Sequence, residues 1–127
     1  MRILPIAKLG FALVMILTFA VACDRSASSP PAPLPIEQVP AALQKAFSKA
    51  KPEAKELVTQ VVNALQAQDY PKAFLSVQTL ASRSGLDKEQ QSVTSRAVLA
   101  VNTLLQTAQS KGDPQAAETL KSYRINK

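Results

Sequence analysis

Apolar residues fall into three regimes along this chain. From Leu9 to Val21 they are nearly continuous, and from Asp24 to Pro40 prolines and serines dominate, in DRSASSPPAPLPIEQVP. Beyond that they recur at intervals of three and four, the period of an amphipathic helix. Val39, Ala42, Leu43, Ala46, Phe47 and Ala50 predict a first helix near Pro40 to Ala50. Pro52 interrupts it and suits the first turn of a second, near Pro52 to Gln68, with Leu57, Val58, Val61, Val62 and Leu65 as its stripe. Glu53 and Glu56 stand early in that helix, where the backbone dipole favours acid.

The third helix is expected near Pro71 to Ser84, capped by Asp69 and ended by Gly85, with Ala73, Phe74, Val77, Leu80 and Ala81 on one face. Asp87 and Gln90 have the spacing of a capping box and open a long fourth helix, near Lys88 to Lys111. Val93, Ala97, Val98, Ala100, Val101, Leu104, Leu105 and Ala108 give it an apolar arc wide enough for neighbours on several sides, as a central helix needs. Gly112, Asp113 and Pro114 read as stop, cap and first helical position. The fifth helix, near Pro114 to Tyr123, carries Ala116, Ala117, Leu120 and Tyr123, and Arg124 to Lys127 should fray. No segment alternates with the period of a strand, and the hairpin pairs Asn-Gly and Asp-Gly are missing. The expected fold is all-α, a small bundle or helical-hairpin array of four to five helices over residues 41–127.

A shift of about 43 residues superposes two helix–turn–helix units. It sets Val58, Val61, Val62, Leu65, Pro71, Ala73 and Val77 on Val101, Leu104, Leu105, Ala108, Pro114, Ala116 and Leu120. The turn Asp69-Tyr70-Pro71-Lys72-Ala73 resembles the inter-helix turn of tetratricopeptide repeats, Gly-Asp-Tyr-x-x-Ala, with Gln68 in place of the glycine. That resemblance implies a helical hairpin over one helix pair.

The continuous apolar run has a different meaning. Arg2 and Lys8 precede it, small residues Ala20-Val21-Ala22 close it, and the only cysteine, Cys23, follows. Its length suits the core of a signal peptide and is short for a membrane span. Two processing routes share a cut between Ala22 and Cys23. The Ala-x-Ala pattern suits general signal peptidase, which releases a soluble protein. The tetrad Ala20-Val21-Ala22-Cys23 resembles the lipobox of bacterial lipoproteins, with Ala20 where leucine is usual. That resemblance implies a signal peptide over 1–22 and acylation of Cys23, which becomes the new N-terminus in the lipid bilayer. An uncleaved anchor is the third possibility. Acylation would remove a lone thiol that is a liability in an oxidising compartment. Several acyl chains, at about 0.8 kcal/mol per buried methylene, suffice for stable anchoring. Asp24 resembles the residue that keeps enterobacterial lipoproteins in the inner membrane; the choice between inner and outer membrane stays open. The expected location is the bacterial cell envelope, with the domain outside the cytoplasm.

Residues 23–40 then read as a lipidated cysteine and a Ser/Pro-rich linker. Its prolines favour an extended helix without internal hydrogen bonds. At about 3.1 Å per residue the linker would hold the domain roughly 50 Å from the bilayer.

Composition narrows the function. Removal of residues 1–22 leaves about 105 residues, enough for one small domain, with net charge near about +4. Its basic residues are dispersed, which reads as a solvated surface, and export argues against nucleic acid. Histidine is absent and the lone cysteine would, by the lipobox resemblance, be committed to lipid, so no catalytic triad, metal site or cofactor is expected. Ser48 and Lys51 alone have Ser-x-x-Lys spacing, inside an Ala/Lys-rich stretch without other catalytic signatures. Three glycines, one of them in the signal, cannot build a phosphate-cradling loop. The expectation is a non-catalytic protein-interaction module with an unidentified envelope partner. A structural or lipid-surface-binding helical protein is the alternative.

Overall fold

A computed structural model describes residues 30–127, with no strand among them. The signal peptide, the cleavage site at Ala22 and Cys23, and the first part of the linker lie outside the described residues. A 3-10 turn, Ile36–Gln38, leads into α1, Val39–Ala46. There follow α2, Pro52–Gln66; α3, Tyr70–Ala81; α4, Lys88–Ser110; and α5, Pro114–Ile125.

Local chemistry sets the helix ends. Asp69 Oδ1 accepts the backbone N–H of Lys72 at 3.1 Å and opens α3. At α4 the capping box is complete: Asp87 Oδ1 accepts from Gln90 N at 2.8 Å, and Gln90 Oε1 accepts from Asp87 N at 3.1 Å. Asp113 Oδ1 accepts from Gln115 N and Ala116 N, behind Pro114. Each of these acceptors satisfies donors that the first helical turn leaves free.

Both hairpin turns leave their helices in the same way. After α4, Gly112 N donates to Gln109 O at 2.9 Å and Asp113 N to Ala108 O at 3.0 Å, the two bonds of a Schellman motif. After α2, Gln68 N donates to Leu65 O at 3.1 Å and Asp69 N to Ala64 O at 2.8 Å. Gln68 therefore takes the left-handed conformation, φ 57°, at the position where glycine stands in the turn it resembles. The buried pairs Val58 and Val101, Val62 and Leu105, Ala73 and Ala116, Val77 and Leu120 keep the expected repeat register. The turn residues Gln68 and Gly112 are offset by one further position. The match in packing and the match in turn geometry are thus out of step by one residue.

Helix packing closes a ring. α1 packs on α2, α2 on α3, α3 on α4, and α4 back on α1, while the backbones of α2 and α4 stay apart across the middle. With short connections this is an up-down-up-down four-helix bundle. α5 lies outside the ring against α3 and α4. α4 touches α1, α3, α5 and the 3-10 turn, so it is the central helix the wide arc predicts. Alanines Ala54, Ala64, Ala73, Ala97, Ala100 and Ala116 are buried and let helices approach closely, while Phe47 and Phe74 supply bulk. The edge of Tyr123 meets Phe74 with centroids 5.1 Å apart and planes at 87°, which seats α5 on α3.

Several details differ from the periodic reading. α1 ends at Ala46, short of Ala50, and α3 ends at Ala81, so that Gly85, at φ 78°, stands in the loop beyond and does not end the helix. On α3, Ala81 is exposed at the helix end while Ser76 is buried, because α3 lies between α2 and α4 and its covered arc is wide. α5 runs on through Arg124 and Ile125. The linker expected to reach Pro40 is docked well before it. Leu34 is 7% exposed and Val39 fully buried; Leu34 N donates to Arg96 O at 3.3 Å, and Arg96 Nε donates to Ala32 O at 2.9 Å. The described compact unit accordingly begins at Pro31. The reason is apolar: Leu34, Ile36 and Val39 bring side chains that only the bundle can bury.

Two measurements check this account by urea denaturation. Gly112, at φ 91°, has nothing within 4 Å of an added Cβ, so Gly112→Ala costs only the backbone conformation, about 1–2 kcal/mol. Gln68→Gly relieves the same conformation and stabilises by about 0.5–1 kcal/mol; equal signs for the two would refute the shared geometry. Leu34→Ala should cost about 2–3 kcal/mol, whereas a free linker would show no change.

Candidate functional site

The described surface offers grooves between helices and no deep enclosed pocket near catalytic groups. The first lies between α3 and α5, with a volume of about 280 Å³, lined by Leu75, Glu118, Thr119, Ser122, Tyr123 and Asn126. Leu75 is 55% exposed and points away from the buried stripe of α3. Ile125, 71% exposed, follows Ser122 by three positions on the flank of α5 that borders the groove. Tyr123 lines the groove and rests against the buried Phe74, and Lys127 Nζ stands 5.2 Å from the Tyr123 ring centre, a cation over an aromatic face. The site is apolar with a polar rim, an arrangement suited to a protein side chain and without a nucleophile–base pair.

A second cleft, about 410 Å³, lies where the turn after α1 meets the loop before α4. Lys49, Lys51 and Arg83 line it together with Ser84, Asp87 and Gln90. Gln90 Nε2 also donates to Ala46 O at 3.3 Å and ties the start of α4 to the end of α1. Asp87 is engaged by its capping bond, and Lys51 precedes α2 without any side-chain cap. Cations from two separated stretches thus converge on one cleft. The sequence reading treated them as dispersed; they are distant along the chain, and only the packing of α1 and α4 brings them together.

Among the residues singled out earlier, Cys23 and Ala22 lie outside the described residues. Ser48 and Lys51 are both exposed in the turn after α1, beyond the helix expected to hold them, and they border different grooves, Ser48 facing Val58 and Lys51 facing Arg83. Glu53 and Glu56 are exposed near the start of α2. Among the described residues no three His, Cys, Asp or Glu side chains are grouped to hold a metal ion. No helix there is long and apolar enough to cross a membrane. Leu75 and Ile125 escaped the sequence reading, although Leu75 carried a signal: it is the one leucine of α3 off the apolar stripe.

The chain matches no protein-family model, no curated protein and no solved structure.

One buried polar atom marks the interior. Thr59, Thr79, Thr103 and Thr107 each donate Oγ1 to the carbonyl four residues earlier at 2.9 to 3.0 Å. Thr94, 1% exposed on α4, leaves its Oγ1 without a partner. A desolvated hydroxyl without a hydrogen bond destabilises the fold. Thr94→Val keeps the shape and removes that hydroxyl, and should raise stability by about 1 kcal/mol in thermal or urea unfolding. A loss of stability would mean that the hydroxyl is satisfied in solution.

Proposed function

We propose that the mature chain is a small envelope lipoprotein, held in the membrane through acylated Cys23, whose helical domain is a non-catalytic protein-interaction module. The observation that carries the interaction half of this reading is the groove between α3 and α5. Leu75 and Ile125 are large apolar side chains left 55% and 71% exposed on adjoining helices. Burying such a side chain is worth about 1.5–3 kcal/mol, a force that a partner's apolar residue can collect. Tyr123 adds an aromatic floor of the kind enriched where proteins bind each other. The lipobox-type ending Ala20-Val21-Ala22-Cys23 carries the anchor half. The helix pair α2 and α3, with its Asp-capped turn, is tetratricopeptide-like in this reading, confined to that one pair.

Each half has its own test. Mass spectrometry of the protein purified from membranes should find an N-terminus at Cys23 carrying a thioether-linked diacylglycerol; a chain beginning elsewhere, or a bare thiol, overturns the anchor. A photo-crosslinking residue placed at Leu75 in cells should give one discrete adduct with an envelope protein. Ile125→Asp should reduce that adduct at least about tenfold, the effect of about 1.4 kcal/mol. Absence of any adduct, or a ladder indifferent to Ile125→Asp, overturns the interaction half.

A further inference from the structure

The basic cleft and the course of the incoming chain point to the same end of the domain. The segment from Ala32 to Gln38 advances along α4 in that helix's own direction. Ala32 O accepts from Arg96 Nε, Leu34 N donates to Arg96 O, and Ile36 shares a cleft with Leu104. A helical side chain lies over the turn that precedes its own Cα, so Ala32 sits over the first half of α4. At that end Lys49, Lys51 and Arg83 surround the cleft and Lys88 opens the helix.

The tether is also short. Only the eight residues Asp24 to Pro31 separate Cys23 from the docked segment. In a polyproline-type conformation they would span about 25 Å, and the docked segment meets α4 at Arg96, about 12 Å from the start of that helix and about 21 Å from its end. So short a lead keeps the domain within reach of the lipid, with the start of α4 nearer the point of attachment than its end.

We infer that this end of the bundle seats on the phosphates of anionic lipid headgroups, with Lys49, Lys51 and Arg83 as the contacts and the cleft between them receiving a phosphate. The inference rests on acylation of Cys23, as proposed above. Three cations close to an anionic surface, at about fivefold each, amount to about a hundredfold preference for the seated state. The lipid tether adds effective concentration, so the contact sets orientation and need not hold the protein by itself. Asp87 is the acidic residue lining the cleft, and its Oδ1 accepts the N–H of Gln90.

The test uses the full chain, processed in cells, purified and reconstituted into vesicles. Single cysteines for a fluorophore replace Ser48, beside the basic end, or Ser110, at the far end of α4. The vesicles contain a headgroup-located quencher. With phosphatidylglycerol present, the Ser48→Cys label should be quenched several-fold more than the Ser110→Cys label. The difference should vanish in pure phosphatidylcholine, at about 1 M salt where the Debye length is about 3 Å, and in the Lys49→Gln, Lys51→Gln, Arg83→Gln variant. Circular dichroism melting verifies that this variant stays folded. Equal quenching at the two positions in an acylated protein overturns the headgroup contact and leaves the anchor standing. Protection of the Ser48→Cys label in native membranes but not in lipid vesicles overturns it in favour of a protein cover. A bare Cys23 thiol, seen by mass and by labelling of the unsubstituted chain, overturns anchor and contact together.

Discussion

The packing of α4 against four neighbours is the constraint on which this fold depends. Ala97, Ala100, Val101 and Leu105 are buried along it, and the small residues among them set how near the other helices come. α1 and α2 are short or moderate helices that would be marginal alone in water, since an isolated helix loses more in nucleation than its hydrogen bonds return. What fixes them is the closed ring, and α4 is the one member of that ring that also holds α5 and the incoming segment. The backbones of α2 and α4 stay apart across the bundle, and α1 and α3 pack between them. A bundle of this kind tolerates a core poor in aromatics because alanine contacts trade side-chain volume for close backbone approach.

Helix starts were legible from the residues because they are decided within one turn. Asp69, Asp87 with Gln90, and Asp113 behind Gly112 each act on donors two or three positions away. Contacts between distant stretches were not legible. Nothing in Ala32 or Leu34 announces Arg96, and the periodic stripe of α3 could not say that Ser76 would be covered while Ala81 lay bare. The internal repeat shows both sides of this limit. Hydrophobic spacing gave the correct pairing of buried residues, yet the turns match one position further on, which only backbone geometry reveals: Gln68 and Gly112 both stand in the left-handed region.

The candidate surfaces divide along the same line. An exposed leucine off the apolar stripe, such as Leu75, is visible in a sequence once the stripe is drawn. Ile125 is not, because a chain terminus is expected to fray and its exposure then carries no message. The convergence of Lys49, Lys51 and Arg83 is a product of tertiary folding, since the turn after α1 and the loop before α4 are brought together by the packing that the Gln90–Ala46 bond fastens. A dispersed set of charges in one dimension is thus a poor guide to their dispersion in three.

The proline-rich segment shows how one composition can serve two mechanical ends. Pro31, Pro33 and Pro35 have no N–H and stay exposed on either side of the buried Leu34, so the segment lies on the bundle with few donors to satisfy. Their restricted backbone is already close to the extended form it keeps when docked, which lowers the entropy lost on ordering. The intervening residues then do the binding: Ala32 offers its carbonyl to Arg96, and Leu34 offers both its N–H and its side chain. The described domain therefore begins close to its first buried leucine, and proline content alone could not locate that point.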